Sequence, residues 1–80
     1  MNKTDKLKAK ILAGQGYHNI SFGEVTVLLK HLGFSSRQNG SHHFFSHPNI
    51  PEPINIQSAK GQCKPYQLRQ IRDIIRDHKL

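Results

Sequence analysis

Three histidines lie within one short stretch of the sequence, Gly40-Ser41-His42-His43-Phe44-Phe45-Ser46-His47-Pro48. Imidazole is the side chain best suited to proton transfer near neutral pH. Cleavage of RNA needs such a group, because a base must take the proton of a ribose 2′-OH before that oxygen attacks the neighbouring phosphate. The stretch is therefore a candidate for general-base catalysis on RNA. Residue types alone leave open a second interpretation, in which the histidines are polar residues on the solvated face of a strand.

A metal site is the competing interpretation of a histidine-rich strand, and strand geometry argues against it. His42 and His43 are adjacent, so they point to opposite faces. His43 and His47 share a face but lie four residues apart, which is about 13 Å along a strand. One ion with bonds of roughly 2 Å cannot join ligands at that separation. Cys63 is the single cysteine and has no CxxC partner, so the sequence predicts no metal and no cofactor.

The segment Lys60-Gly61-Gln62-Cys63-Lys64-Pro65 is a polar loop that leads into a predicted helix. Backbone N–H groups and the positive end of the helix dipole favour phosphate at such a position. We therefore predict that Lys60 and Lys64 contact phosphate, the alternative being a solvated basic loop. Cys63 is interpreted as a partly buried filler rather than a nucleophile.

The charge balance is strongly basic, with 12 Lys and Arg against 5 Asp and Glu and a formal net charge of +7. A net positive charge of this size attracts nucleic acid, the commonest polyanion, or an acidic protein. The alternative is that the excess of basic residues only aids solubility. Arg69, Arg72 and Arg76 form a ridge that Asp73 neutralises in part. The N-terminal lysines add nonspecific attraction to phosphate or keep that segment soluble.

The 80 residues are enough for one domain and too few for two. One cysteine excludes an internal disulfide. The N-terminal residues lack the apolar core of a signal peptide, and no run approaches the roughly 20 apolar residues of a membrane span. We expect a cytoplasmic protein with no membrane partner.

The best-marked element is a helix over residues 22–32. Ser21 and Glu24 have the spacing of a capping box, in which each side chain satisfies a backbone N–H of the first turn. Gly33 is placed to end the helix in the left-handed conformation, with Phe34 folding back. Apolar residues recur at helical spacing and predict a core-facing stripe of Phe22, Val25, Leu28, Leu29 and Leu32.

After this helix the pattern changes to that of a sheet. Strands are predicted near residues 34–38, 41–47 and 53–57, with Asn39-Gly40 as a type I′ hairpin turn between the first two. Residues 49–52 are predicted to form the connection to the third strand, whose residues alternate between apolar and polar.

Two further helices flank this region. One spans residues 3–13, with Thr4 as its cap, a stripe of Leu7, Ile11 and Leu12, and Gly14 and Gly16 at its end. The other begins at Pro65 and runs to about Asp77. The predicted fold class is α+β, a three-stranded antiparallel sheet with helices packed on one face. The predicted core consists of Phe22, Val25, Leu28, Leu29, Leu32, Ile54, Ile56, Leu68, Ile71 and Ile75.

Over residues 20–78 the sequence resembles the HicA family of bacterial mRNA-cleaving toxins. The resemblance rests on the capped helix, on Arg37-Gln38-Asn39-Gly40-Ser41-His42-His43, on His47-Pro48, and on Lys64-Pro65-Tyr66-Gln67-Leu68. It implies a fold like that of the double-stranded RNA-binding domain with an extra N-terminal helix. It also implies cleavage of mRNA and neutralisation by a HicB-like antitoxin protein. Because the site offers a lone histidine base and no set of metal ligands, we expect this cleavage to need no metal and to have low turnover.

The same resemblance implies that the essential histidine is the one in the Gly-Ser-His step, which is His42 here. RNA contacts are expected from Gly40, Ser41, His43, Lys60 and Lys64. Residues 1–19 are interpreted as an N-terminal extension and residues 20–80 as the RNA-binding and cleaving domain. The residues leave open whether His42 or His43 is the base. They also leave open a noncatalytic RNA-binding module, and a protein whose basic surface serves only an acidic partner.

Overall fold

A computed structural model of the chain describes residues 2–14, 17, 20–58 and 60–80. The predicted α+β class and the antiparallel sheet are confirmed. In chain order the described elements are α1 (Lys3–Ala13), α2 (Phe22–His31), β1 (Ser35–Asn39), β2 (His42–His47), β3 (Ile50–Gln57) and α3 (Pro65–Asp77). None of the described helices is long and apolar enough to cross a membrane.

The sheet has the order β1-β2-β3, and each neighbouring pair is antiparallel. Side chains alternate between its faces. Phe45, Ile54 and Ile56 are buried on the face that the helices cover. The opposite face, here called the open face, is covered by none of the described helices. Its residues, which are aligned by the register, are Ser35, Arg37, Asn39, His42, Phe44, Ser46, Asn55 and Gln57.

Most of the predicted core is buried. Phe22 and Leu32 are the exceptions, because they pack against the core with part of each side chain exposed. The core also takes in Leu7 and Ile11 of the α1 stripe, and residues from the loops and from β2 that the predicted core did not include. The buried apolar residues are Leu7, Ile11, Ile20, Val25, Leu28, Leu29, Phe34, Phe45, Ile54, Ile56, Cys63, Leu68, Ile71 and Ile75.

Helix α1 has the predicted bounds but a different cap. The cap is Asn2, whose Oδ1 accepts the Asp5 N–H at 2.8 Å, and Thr4 lies inside the first turn. Leu12 is 40% exposed, so it does not belong to the buried stripe. α1 contacts both α2 and α3 and shares their core. Gly14 ends the helix with φ +74°, whereas Gly16 lies outside the described residues. The division of the chain at residue 19 stays a prediction.

Helix α2 begins as predicted, with Ser21 Oγ accepting the Glu24 N–H at 3.1 Å. It ends at His31, one residue before the predicted end, and Gly33 follows with φ +100°. The Phe34 N–H donates to the Leu29 carbonyl at 3.0 Å, so the chain folds back as expected. A Cβ on Gly33 would lie 3.2 Å from the His47 ring, so contact with the neighbouring strand also favours glycine.

The first hairpin turn lies one residue later than predicted. Asn39 is still paired with His42, so the central residues are Gly40 and Ser41. Gly40 has φ +62° and Ser41 does not have a positive φ. A positive φ at the first central position alone is typical of a type II′ turn, which requires glycine there. The prediction of a type I′ turn at Asn39-Gly40 was therefore wrong.

The third strand begins at Ile50, three residues before the predicted start, so residues 49–52 are not one connecting turn. Pro51 and Pro53 weaken the strand signal here, because proline removes a ladder hydrogen bond. β3 is an edge strand, where the missing N–H can face away from the sheet. The register shifts between Phe45 and His47 opposite this part of β3.

Candidate functional site

His42 is the first residue of β2, directly after the Gly40-Ser41 turn. Its side chain is exposed on the open face. The ring lies 6.4 Å from the Phe44 ring with an interplanar angle of 27°. Among the described residues nothing forms a hydrogen bond with this imidazole, and the residue is exposed to solvent. Proton transfer to or from a substrate requires this accessibility.

His43 points to the other face of the sheet. Its ring contacts Phe22 of α2, with the centroids 4.6 Å apart and the planes at 58°, and its side chain is half-buried. His42 is therefore more accessible to solvent than His43. The contact also ties the start of β2 to the start of α2.

His47 lies at the far end of β2. Its ring is 5.0 Å from the Phe34 ring, and its Nδ1 accepts the Asn49 N–H at 3.0 Å. The strand thus separates His47 from His42, and the three histidines do not converge. Within the described ranges no group of three His, Cys, Asp or Glu side chains is placed to hold a metal ion.

The loop before α3 is fastened to the start of α2. The Phe22 N–H donates to the Gly61 carbonyl at 2.9 Å, and the Cys63 N–H donates to the Ile20 carbonyl at 3.1 Å. Lys60 and Gly61 have φ +53° and +79°. These bonds hold the Lys60 loop beside Phe22, the residue that His43 contacts. The loop and β2 therefore both contact Phe22.

Lys64 is the N-cap residue of α3, and the first turn offers few free N–H groups. Pro65 has none, and the Lys64 N–H donates to Gln67 Oε1 at 3.2 Å. The Gln67 amide is buried and its Nε2 donates to the Gln57 carbonyl at 3.5 Å. Attraction of phosphate to this helix end therefore depends more on the exposed Lys64 ammonium and the helix dipole than on backbone donors.

A pocket of about 150 Å³ lies between the end of β3 and the start of α3. Its lining residues are Gln57, Ser58, Lys64, Tyr66 and Gln67. Gln57 is the cross-strand partner of His42, and its Nε2 donates to Ser41 Oγ at 3.3 Å. Gln57 therefore contacts the Gly-Ser-His step and also lines the pocket that contains Lys64.

Gln57 and Gln67 were not singled out from the sequence. The alternation of Ile54, Asn55, Ile56 and Gln57 indicates that Gln57 is polar and outward-facing, but only the register shows that it lies opposite His42. No sequence signal indicates that Gln67 is buried.

Cys63 is buried among the core residues, and this burial raises the pKa of its thiol to about 11. The thiol is therefore protonated at neutral pH, and only the thiolate is a good nucleophile. Cys63 fills space under the loop, which agrees with its interpretation as a filler.

Charges on α3 are largely paired with one another. Asp73 lies 3.2 Å from both Arg72 and Arg76, and Arg76 also lies 3.3 Å from Asp77. Such pairs on an exposed helix reduce the basic potential of that surface. In the part of the chain that the structure describes, no ion pair involves Arg37, Lys60 or Lys64. These three cations remain available to an anionic ligand.

A family model described as the HicA toxin of bacterial toxin-antitoxin matches residues 22–80. The match begins at the first residue of α2 and includes all three strands, the Gly-Ser-His step and α3. Helix α1 lies outside it. No curated protein and no solved structure matches the chain. Because the match covers most of the chain, the protein belongs to the HicA toxin family of bacterial toxin–antitoxin systems.

Proposed function

We propose that the protein is an endoribonuclease that cleaves mRNA without a metal ion, with His42 as the general base. The observation that carries this proposal is the exposed imidazole of His42 at the glycine turn, paired with Gln57 at the rim of the Lys64 pocket. Membership of a toxin family supports an activity directed against the cell that makes the protein.

The chemistry needs one base and a positioned phosphate. Neutral His42 takes the proton of a ribose 2′-OH, and the 2′ oxygen forms a bond to phosphorus. The bond between phosphorus and the 5′ oxygen then breaks, and that oxygen receives a proton from water. The products are a 2′,3′-cyclic phosphate and a 5′-hydroxyl. A lone general base contributes about 10²- to 10⁴-fold, so turnover is low.

The remaining predicted site residues hold the substrate. Gly40 and Ser41 form a turn that leaves room for the RNA backbone, and the hydrogen bond from Gln57 restrains Ser41. Lys60 and Lys64 provide the phosphate contacts from the loop and the start of α3. His43 reaches RNA only with the exposed part of its half-buried ring.

Regulation follows from the toxin–antitoxin family. We propose that a HicB-like antitoxin covers the open face or the His42 turn and offsets part of the +7 charge. An acidic partner at that position would exclude RNA by occupying the same surface and cancelling the same field.

The test is to incubate the purified protein with RNA, add EDTA, and analyse the ends of the fragments. Wild type is expected to produce 2′,3′-cyclic phosphate and 5′-hydroxyl ends. His42→Ala should fold, bind RNA and leave it intact. His31→Ala, which removes an exposed histidine at the end of α2, is the matched control and should cleave normally.

A folded His42→Ala protein that cleaves at the wild-type rate would refute the assignment of the base. A wild type that binds RNA but never cleaves it would identify a noncatalytic RNA-binding module. Absence of RNA affinity even at low salt would leave only interaction with an acidic protein.

A further inference from the structure

The open face carries an aromatic ring where a solvated sheet face normally carries polar residues. Phe44 lies in the middle of β2, paired with Arg37 on one side and Asn55 on the other. It is half-buried, while those two neighbours are exposed. A single partly exposed apolar residue needs no explanation by itself, but the residues around Phe44 give it significance.

The nearest feature is His42. The two rings project from the same face of β2, with centroids 6.4 Å apart and planes within 27° of parallel. They form two adjacent, similarly tilted surfaces. A planar group that stacks on Phe44 would therefore lie directly beside the imidazole.

The charges around Phe44 favour an anionic ligand. The five acidic residues of the chain all lie off the open face. Asp5 is on α1, Glu24 is on α2, and Asp73 and Asp77 are on α3. Glu52 lines a pocket with residues of α3 on the helix side of the sheet.

We propose that the open face binds single-stranded RNA, with one base stacked on Phe44 and the adjoining phosphate held by Arg37. This inference rests on the proposed function. It adds that the protein recognises a base and its phosphate, and that the RNA is single-stranded. Stacking on an aromatic side chain accepts any base, because every base has a π face. In a duplex those faces are already stacked on their neighbours, so a single strand is required.

In this arrangement the stacked base also determines which ribose lies at His42. The base on Phe44 places its ribose next to His42, whose neighbour on the next strand, Gln57, lines the Lys64 pocket. The phosphate chain can then pass from Arg37 across the His42 turn toward Lys64. The stacked base thus sets which 2′-OH the imidazole reaches.

The experiment measures binding of a short 2′-O-methyl oligoribonucleotide that contains 2-aminopurine, because it lacks the 2′-OH and cannot be cleaved. Wild type should quench the 2-aminopurine fluorescence and prefer the single strand to a duplex of the same sequence. Phe44→Leu should lose about 10-fold or more in affinity together with the quenching, whereas Phe44→Tyr should keep both.

Two further variants complete the experiment: Arg37→Gln tests the phosphate contact, and Val27→Ala controls for the loss of exposed apolar surface. Arg37→Gln changes an exposed side chain and should weaken binding of the single strand while lowering the salt slope by about one. Val27→Ala removes exposed apolar surface from α2, where Val27 is 58% exposed, and should leave binding unchanged. Circular dichroism verifies the fold of each variant.

Single-strand preference that depends on both Phe44 and Arg37 supports the inference. If the protein cleaves RNA normally but prefers the duplex, the inference about the open face is wrong and the proposed function stands. The same holds if it cleaves RNA normally and neither Phe44→Leu nor Arg37→Gln changes its affinity. A Phe44→Leu protein that loses only an acidic protein partner also overturns the inference, since the face would then serve protein binding. Failure of wild type to bind or cleave any RNA contradicts both proposals.

Discussion

His42 and Gln57 lie directly opposite each other on β2 and β3, and the Gln57 amide also donates to Ser41 in the turn that precedes His42. One side chain thus touches the turn, faces the candidate base and lines the pocket of Lys64. The geometry of the Gly-Ser-His step is therefore maintained partly from the neighbouring strand.

We expect Gln57→Ala to lower the cleavage rate about 2- to 10-fold, which corresponds to the net worth of one hydrogen bond. Stability should change little, because Gln57 is exposed. Gln70→Ala, an exposed glutamine on α3, is the control and should retain full activity. An unchanged rate for Gln57→Ala would mean that the bond to Ser41 does not position the turn.

Activity should fall on acidification, because a protonated imidazole cannot accept the 2′-OH proton. It should also survive EDTA, since the proposed chemistry uses no metal ion. Initial rates across a pH series, with folding monitored by circular dichroism, test both points. Loss of activity in EDTA that zinc or magnesium restores would contradict the mechanism.

RNA affinity should fall steeply with salt, because lysine and arginine contacts to phosphate release counterions. Lys60→Ala combined with Lys64→Ala should flatten the slope of log affinity against log salt by about two. Lys30→Ala, which removes an exposed lysine from the end of α2, is the control. Equal wild-type affinity at about 50 mM and about 300 mM salt would exclude an electrostatic basis for binding.

Helix α1 should contribute to stability although it lies outside the family match. Ile11 is fully buried, so Ile11→Ala should lower the free energy of unfolding by about 2–5 kcal/mol. The adjacent Leu12 is 40% exposed, so Leu12→Ala should change it by no more than about 0.5 kcal/mol. Denaturant unfolding of the two variants provides the comparison. Equal, small effects would show that α1 is not docked in solution.

A cognate antitoxin should protect the backbone amides of residues 41–47 from hydrogen exchange, because the proposed complex covers the open face or the His42 turn. Exchange measured with and without the partner tests this expectation. Protection confined to residues 3–13 would instead identify α1 as the docking element.

Local signals predicted the helices well. The Ser21 cap and Gly33 bracket α2 within one residue, and Pro65 marks the first residue of α3. Prediction failed where pairing decides the outcome. Asn39-Gly40 is a good turn dipeptide, yet Asn39 pairs with His42 and Phe45 is buried against the helices, so the turn lies at Gly40-Ser41.

The site shows the same difference between what local signals indicate and what strand pairing determines. Residue types and the family motif indicated His42 and the Lys60 loop as candidates. The cross-strand position of Gln57, the burial of Gln67 and the shared face of His42 and Phe44 depend on contacts between residues far apart in sequence. Such contacts follow from the register of the whole sheet, which no short pattern contains.

The two prolines of β3 restrict how another chain can extend this sheet. Pro51 and Pro53 have no N–H, and an edge strand tolerates them only when the missing donors lie on its outer side. An incoming strand would find acceptors without donors along that stretch, so it could not complete a hydrogen-bond ladder there. Of the two edges formed by the described strands, β1 is the one with a full set of backbone donors. Sheet extension by a partner, or by a second copy of the chain, should therefore occur beside β1.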